Sequence, residues 1–107
     1  DDLALRNSKG WISTSYTACP DAMPTVGSNN DPIEATYLPL YCLANGFNGF
    51  LRWAWMNWTE NPMYDSRFKL FTPGDTYIVY PGMHSSRRFE HIIRGVQNVA
   101  KIETLSL

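Results

Sequence analysis

This sequence predicts an α/β fold, a partial (β/α)8 TIM barrel carrying its last three strands with their helices. Three observations lead there. β-branched and aromatic runs, a helical segment and long loops follow in the order strand, loop, helix, strand, long loop, strand, helix. Helical crossovers between strands imply parallel pairing with right-handed connections. No Gly-rich phosphate loop follows any strand, since Gly46 and Gly49 frame a helix end rather than open a helix. That favours the barrel over a doubly wound sheet, which fits the same order. Aromatic and polar residues gather in segments 18–30, 56–74 and 81–84, each after a strand, where a barrel builds its sites. A whole barrel takes roughly 250 residues, so these 107 residues are expected to be its closing part.

Each element has its own warrant. Residues 11–17, Trp-Ile-Ser-Thr-Ser-Tyr-Thr, are rich in strand formers. Residues 18–30 are rich in Pro, Gly, Ser and Asn and read as a loop. Asp31-Pro32-Ile33-Glu34 then starts a helix, with Asp as cap and Pro at the first helical position. It should run to Asn45 and stop at Gly46, kinked or divided at Pro39. Gly49–Trp55 is the second strand, apolar at nearly every position as expected when both faces are covered. Residues 56–74 lack a helical period and read as a long functional loop. Asp75–Tyr80 is the third strand, closed by Pro81-Gly82. Ser85-Ser86 cap a last helix in which Phe89, Ile92, Ile93, Val96, Val99 and Ala100 recur at three- and four-residue steps. Gly95 within it marks a close approach to a neighbour.

Composition narrows the function. Apolar residues make up 44%, enough for a packed core, and nine basic against ten acidic residues give −1. No field of that size draws nucleic acid or an anionic membrane surface. The longest apolar runs fall far short of the ~20 residues that span a bilayer. The chain opens Asp1-Asp2-Leu3, so no signal peptide is visible; this opening and Leu105-Ser106-Leu107 read as cuts inside a longer polypeptide. Cys19 and Cys42 read as two buried thiols, with a disulfide as the alternative. His84 and His91, read as surface residues, do not combine with the cysteines at a metal-ligand spacing. No metal and no cofactor is called for.

The segment from Gly49 to Pro62 carries the strongest chemical signal. Three of the four tryptophans fall at 53, 55 and 58, interleaved with Arg52, Asn57 and Glu60. Flat apolar faces beside hydrogen-bonding groups suit sugars, whose C–H faces stack on rings while hydroxyls take the polar groups. Arg52 in an apolar strand needs an anion, because a buried unpaired charge is costly. A structural ion pair with a carboxylate such as Asp65 is the reading to beat for it. Trp53 and Trp55 share a strand face, with Trp53 the deeper; Trp55, nearest the strand end, reads equally as sugar platform or barrel core. Asn57 and Trp58 open the loop and are candidates for substrate contact. Tyr16 and Tyr80 end the first and third strands, where a barrel keeps its ligand. Glu60 reads as a solvated loop charge, Asp65 and Arg67 as a loop staple, and Asp75 as lying at the wrong barrel end for chemistry.

Three blocks also carry a resemblance. Gly49-Phe50-Leu51-Arg52-Trp53-Ala54-Trp55 leads through Trp58 to Glu60-Asn61-Pro62-Met63-Tyr64-Asp65-Ser66-Arg67-Phe68. Gly74-Asp75-Thr76-Tyr77-Ile78-Val79-Tyr80-Pro81-Gly82 is the second, and Ser85-Ser86-Arg87-Arg88-Phe89-Glu90 through Arg94-Gly95-Val96-Gln97 the third. Together, over about residues 11–103, the chain resembles the C-terminal part of the catalytic barrel of glycoside hydrolase family 123 and its relatives from glycan-degrading gut bacteria. The resemblance implies a hydrolase of the β-N-acetylgalactosaminidase type and a periplasmic, cell-surface or secreted setting. It further implies substrate assistance: an Asp orients the substrate's own 2-acetamido group for attack, and an adjacent Glu serves as acid then base. No such Asp-Glu pair occurs here, so no catalytic residue is assigned and this stretch alone should be inert. Two departures stand out. Pro20-Asp21 replaces a Pro-Asn pair after the first strand, and Asn98-Val99-Ala100 replaces an Asp-Tyr-Glu run in the last helix.

Two rival readings remain. A catalytically silent relative would hold glycans through Trp55, Trp58 and Tyr80. A structural segment would use its tryptophans only to close the barrel. In either case three parallel strands leave two open edges, so the chain is expected to need the remainder of its own barrel, a partner copy or a rearranged packing.

Overall fold

A computed structural model describes residues 2–17 and 23–106. The elements are helix α1 (Asp2–Ser8), strand β1 (Thr14–Tyr16), helix α2 (Ile33–Ala44), strand β2 (Gly49–Leu51), a 3-10 turn (Pro81–Met83) and helix α3 (Arg87–Leu105). The chain is thus mixed α/β around a small parallel sheet. Strands β1 and β2 pair with Thr14 opposite Gly49, Ser15 opposite Phe50 and Tyr16 opposite Leu51, joined through a helical crossover as parallel pairing requires. Asn48 steers the entry to this ladder: its Oδ1 accepts from the Ser13 N–H at 2.8 Å, and its own N–H donates to the Ser13 carbonyl at 2.8 Å.

Helix α1 was not anticipated, although Leu3-Ala4-Leu5-Arg6 are good helix formers with Asp2 in the first turn. It is tied down by Arg6, which donates to Ser13 Oγ (2.8 Å) and the Ile12 carbonyl (2.9 Å), and by Asn7, which reaches the Gly46 carbonyl (3.0 Å).

Helix α2 starts one residue later than expected, with Pro32 at the cap and Ile33 first, and Asp31 Oδ1 accepts from the Ile33 N–H at 3.0 Å. It is not divided at Pro39, which lies inside a continuous helix. The chain leaves it through Gly46 at φ 78°, the left-handed conformation that closes a helix C-terminus. Helix α3 is capped by Ser86, whose Oγ accepts from the Phe89 N–H at 3.0 Å. The two helices pack where Gly95 removes a side chain: a Cβ there would run into the Thr36 carbonyl and lie 2.9 Å from the Pro39 ring. His91, expected at the surface, is instead half-buried on this seam and shares a 2.8 Å hydrogen bond with Thr36 Oγ1.

The third strand expected over 75–80 does not form, so the sheet among the described residues has two strands rather than three. Residues 75–80 meet the chain just past β2 through a single antiparallel bridge, Met56 opposite Tyr77. The Asn57 N–H donates to the Thr76 carbonyl (3.0 Å) and the Ile78 N–H to the Trp55 carbonyl (2.9 Å). A connection without a helical crossover returns a segment antiparallel, and loop 56–74 is such a connection. The segment is nonetheless interior, with Thr76, Tyr77 and Ile78 fully buried.

The core joins Val26, Ala35, Leu38, Cys42, Ile78 and Ile92, with Phe47, Phe50, Trp55 and Phe89 packed on it. Cys42 is a free thiol pushed up in pKa by burial. Cys19 and the Pro20-Asp21 departure lie outside the described residues. Among the described residues, no helix is long and apolar enough to cross a membrane.

Candidate functional site

The six candidate residues separate into four settings. Tyr16 stands exposed at the C-terminal end of β1. Asn57 is exposed too, its backbone N–H committed to Thr76. Trp55 is half-buried between rings, 6.3 Å from Phe50 and edge-on to Phe89 at 6.2 Å.

Arg52 is interior and paired, but not with Asp65. Its Nη2 reaches Asp75 Oδ1 at 3.0 Å and the Asp75 carbonyl at 2.6 Å. The Arg52 side chain is 2% exposed and that of Asp75 20%. Asp75 Oδ2 also accepts from Trp53 Nε1 at 3.1 Å. Because β2 ends at Leu51, strand alternation does not extend over residues 52–55, and the two tryptophans expected on one face part company. Trp53, expected deep, is 44% exposed and stacks on Phe71 at 5.0 Å.

Asp65 instead binds Arg67, as the loop staple required. Arg67 donates from Nη2 to Oδ2 (2.7 Å), from Nε to Oδ1 (2.8 Å) and from its backbone N–H to Oδ1 (3.0 Å). These bonds hold the Asp65 carboxyl at about 2, below the ordinary 3.8. A folded value below the unfolded one means the interaction is fully present above the ordinary value and fades as pH falls towards the folded one. Arg67→Ala is therefore expected to move the Asp65 midpoint up to the ordinary carboxylate range, read by NMR titration of the carboxyl carbon. A midpoint that stayed low would exclude Arg67 as the cause.

Trp58 and Tyr80 are the two candidates that meet. They line a hollow of ≈ 490 Å³ with Met56, Met83, His84 and Phe89. Trp58 is 39% exposed, and its ring is oriented by a 2.9 Å bond from Nε1 to the Val79 carbonyl. Tyr80 stands edge-on to Tyr77 at 5.3 Å, and its N–H donates to the His84 carbonyl (2.9 Å), closing the turn that carries Met83 outward. That turn needs two left-handed residues, Gly82 at φ 73° and Met83 at φ 60°, a conformation that costs a side chain energy. Tyr80 and Ser85 also border a second hollow of ≈ 580 Å³, with Ser28, Asn30 and Arg87 among its lining. An aromatic cleft thus adjoins a polar one across Tyr80.

Met83, His84, Phe89 and Arg87 were not read as site residues. The Pro81-Gly82 pair was the available signal, since it marks a tight turn after Tyr80. The carboxylates nearby have partners: Ser85 Oγ donates to Glu90 Oε1 at 2.5 Å, and Asp75 is held by Arg52 and Trp53. Among the described residues, no three His, Cys, Asp or Glu side chains are grouped to hold a metal.

An α/β segment with an aromatic cleft at its loops is the kind of piece from which carbohydrate-active enzymes are built. The sequence profile described as glycoside hydrolase 123, catalytic domain, matches residues 1–105, and the chain belongs to that family. A solved structure of a family 123 glycoside hydrolase from Clostridium perfringens, reported for the details of glycolipid glycan hydrolysis, is 32% identical to it with a TM-score of 0.88. The match covers 96% of this chain and 19% of that one, so the chain spans about a fifth of this structural relative. No curated protein shows a significant match.

Proposed function

We propose that this chain is the C-terminal portion of a (β/α)8 glycoside hydrolase barrel and that it holds glycan substrate instead of supplying the catalytic acids. The observation that carries the reading is the hollow shared by Trp58 and Tyr80, beside a polar cleft that also borders Tyr80. A ring fixed through its indole N–H leaves its face for the C–H side of a sugar, and the neighbouring donors and acceptors meet hydroxyls. Arg52, Trp55, Asn57 and Tyr16 border neither hollow and would meet the substrate only with the remainder of the barrel in place. The substrate class is a glycan ending in a β-linked N-acetylgalactosamine, cleaved with help from its own acetamido group. An Asp-Glu pair elsewhere in the polypeptide, within the remainder of the barrel, supplies orientation and acid–base chemistry. Membership in the hydrolase family and its glycolipid-glycan-hydrolysing relative support this substrate class.

The test is hydrolysis of chromogenic N-acetyl-β-galactosaminides by the full-length polypeptide. Turnover is expected from the full length and none from the 107-residue chain. Trp58→Ala is expected to raise KM by about tenfold, the effect of losing roughly 1.4 kcal/mol of ring contact. Full-length turnover with an unchanged KM in Trp58→Ala would leave the tryptophans a purely structural role. Glycan affinity without turnover would point to a silent binding relative.

A further inference from the structure

We infer that Arg88 is the positioning residue of the Trp58–Tyr80 wall, its guanidinium fixing the segment on which both rings depend. The inference rests on the substrate-holding reading of that wall. Arg88 lies in the first turn of α3 and is 7% exposed. Its Nη1 donates to the Val26 carbonyl (2.8 Å) and the Gly74 carbonyl (2.6 Å), and its Nη2 to the Tyr77 carbonyl (2.8 Å). Two stretches, one at Val26 and one spanning 74–77, are thereby tied to one helix start.

Segment 77–80 is the rail of the wall. The Tyr77 ring supports Tyr80 edge-on, and the Tyr77 hydroxyl donates to the Pro62 carbonyl at 2.8 Å. Two residues on, the Val79 carbonyl takes the Trp58 indole N–H. Holding the Tyr77 peptide therefore holds both rings.

The chemistry of Arg88 fits this task better than stabilisation. A buried cation met by carbonyl dipoles costs more than an apolar side chain of similar volume. Burial pushes its pKa down and the nearby Arg52 charge acts the same way, while the Tyr80 side chain beside it opposes both. What a guanidinium adds is geometry: a planar fork reaches three fixed acceptors at once, which the compact ammonium of lysine does not. The backbone makes room for it at Gly74 (φ 79°), where a Cβ would collide with Ser28 Oγ and sit 2.9 Å from Arg88 Nη1.

Arg88→Lys in the full-length polypeptide tests this, beside Trp58→Ala, Tyr80→Ala and Lys101→Ala, an exposed change near the far end of α3. Two quantities are read: KM against kcat on an aryl N-acetyl-β-galactosaminide, and the indole N–H resonance of Trp58 without substrate. Arg88→Lys is expected to raise KM about tenfold with little change in kcat, since misplacing a binding group by about 1 Å can cost up to about 100-fold. It should also shift the Trp58 indole signal, while Lys101→Ala changes neither. An unmoved indole signal, or an unchanged KM with a lowered unfolding midpoint, overturns the inference and leaves Arg88 a structural tie. If Trp58→Ala and Tyr80→Ala themselves leave KM unchanged, the wall reading fails first and the inference with it.

Discussion

Arg52→Met is expected to destabilise the fold by about 3 kcal/mol, the lower end of the cost of breaking a buried ion pair from one side. Methionine keeps much of the stem volume, so lost packing is a minor part. What goes is the charge opposite Asp75 and the 2.6 Å bond to the Asp75 carbonyl, leaving a carboxylate only 20% exposed with Trp53 as its remaining side-chain donor. Asp75→Asn should cost a similar amount, because it strands a guanidinium whose side chain is 2% exposed. The combined Arg52→Met, Asp75→Asn change should cost clearly less than the sum, since neither charge then lacks its partner. Urea unfolding followed by tryptophan fluorescence measures all three. Losses below about 0.5 kcal/mol for each single change would put this pair with exposed ion pairs, which contribute little.

The pair also shows where the sequence was legible and where it was not. That Arg52 needs an anion follows from one charge in an apolar run; which carboxylate answers does not. Asp65 is closer in sequence to Arg52 than Asp75 is, but Arg67, two residues away, claims it. Signals contained within a few residues were readable: the Asp31 and Ser86 helix starts, the Gly46 stop, the Asp65–Arg67 staple and the glycine seam at position 95. The parallel pairing of 11–17 with 49–55 was readable as well, although the ladder keeps only three residues of each.

Features decided by partners were not. Residues 75–80 have a strand's composition, but β-propensity is realised only when a neighbouring strand arrives in register, and loop 56–74 delivers them to a single bridge. Trp53 and Trp55 exchanged their expected depths because β2 ends before either. Arg87 and Arg88 are indistinguishable as a dipeptide; packing against Val26, Gly74 and Tyr77 buries the second and leaves the first exposed. Of the residues lining the candidate hollow, Trp58 and Tyr80 could be named from the sequence, and Met83 in the turn beside them could not.

Leu38→Ala is expected to cost about 2–5 kcal/mol, because its side chain sits 1% exposed in the core between α2 and α3 and its loss opens a cavity the neighbours fill only in part. Against a net stability of roughly 5–15 kcal/mol for a domain, that is enough to leave much of the population unfolded near the melting point. Ile33 supplies the control: the same helix, similar chemistry, but 56% exposed, so Ile33→Ala should stay within about 0.5 kcal/mol. The contrast separates packing from helix propensity, which alanine improves in both cases. Equal costs at the two positions would mean that α2 does not present the face described here. A large loss confined to Leu38 would identify the α2–α3 seam as the packed face of α2.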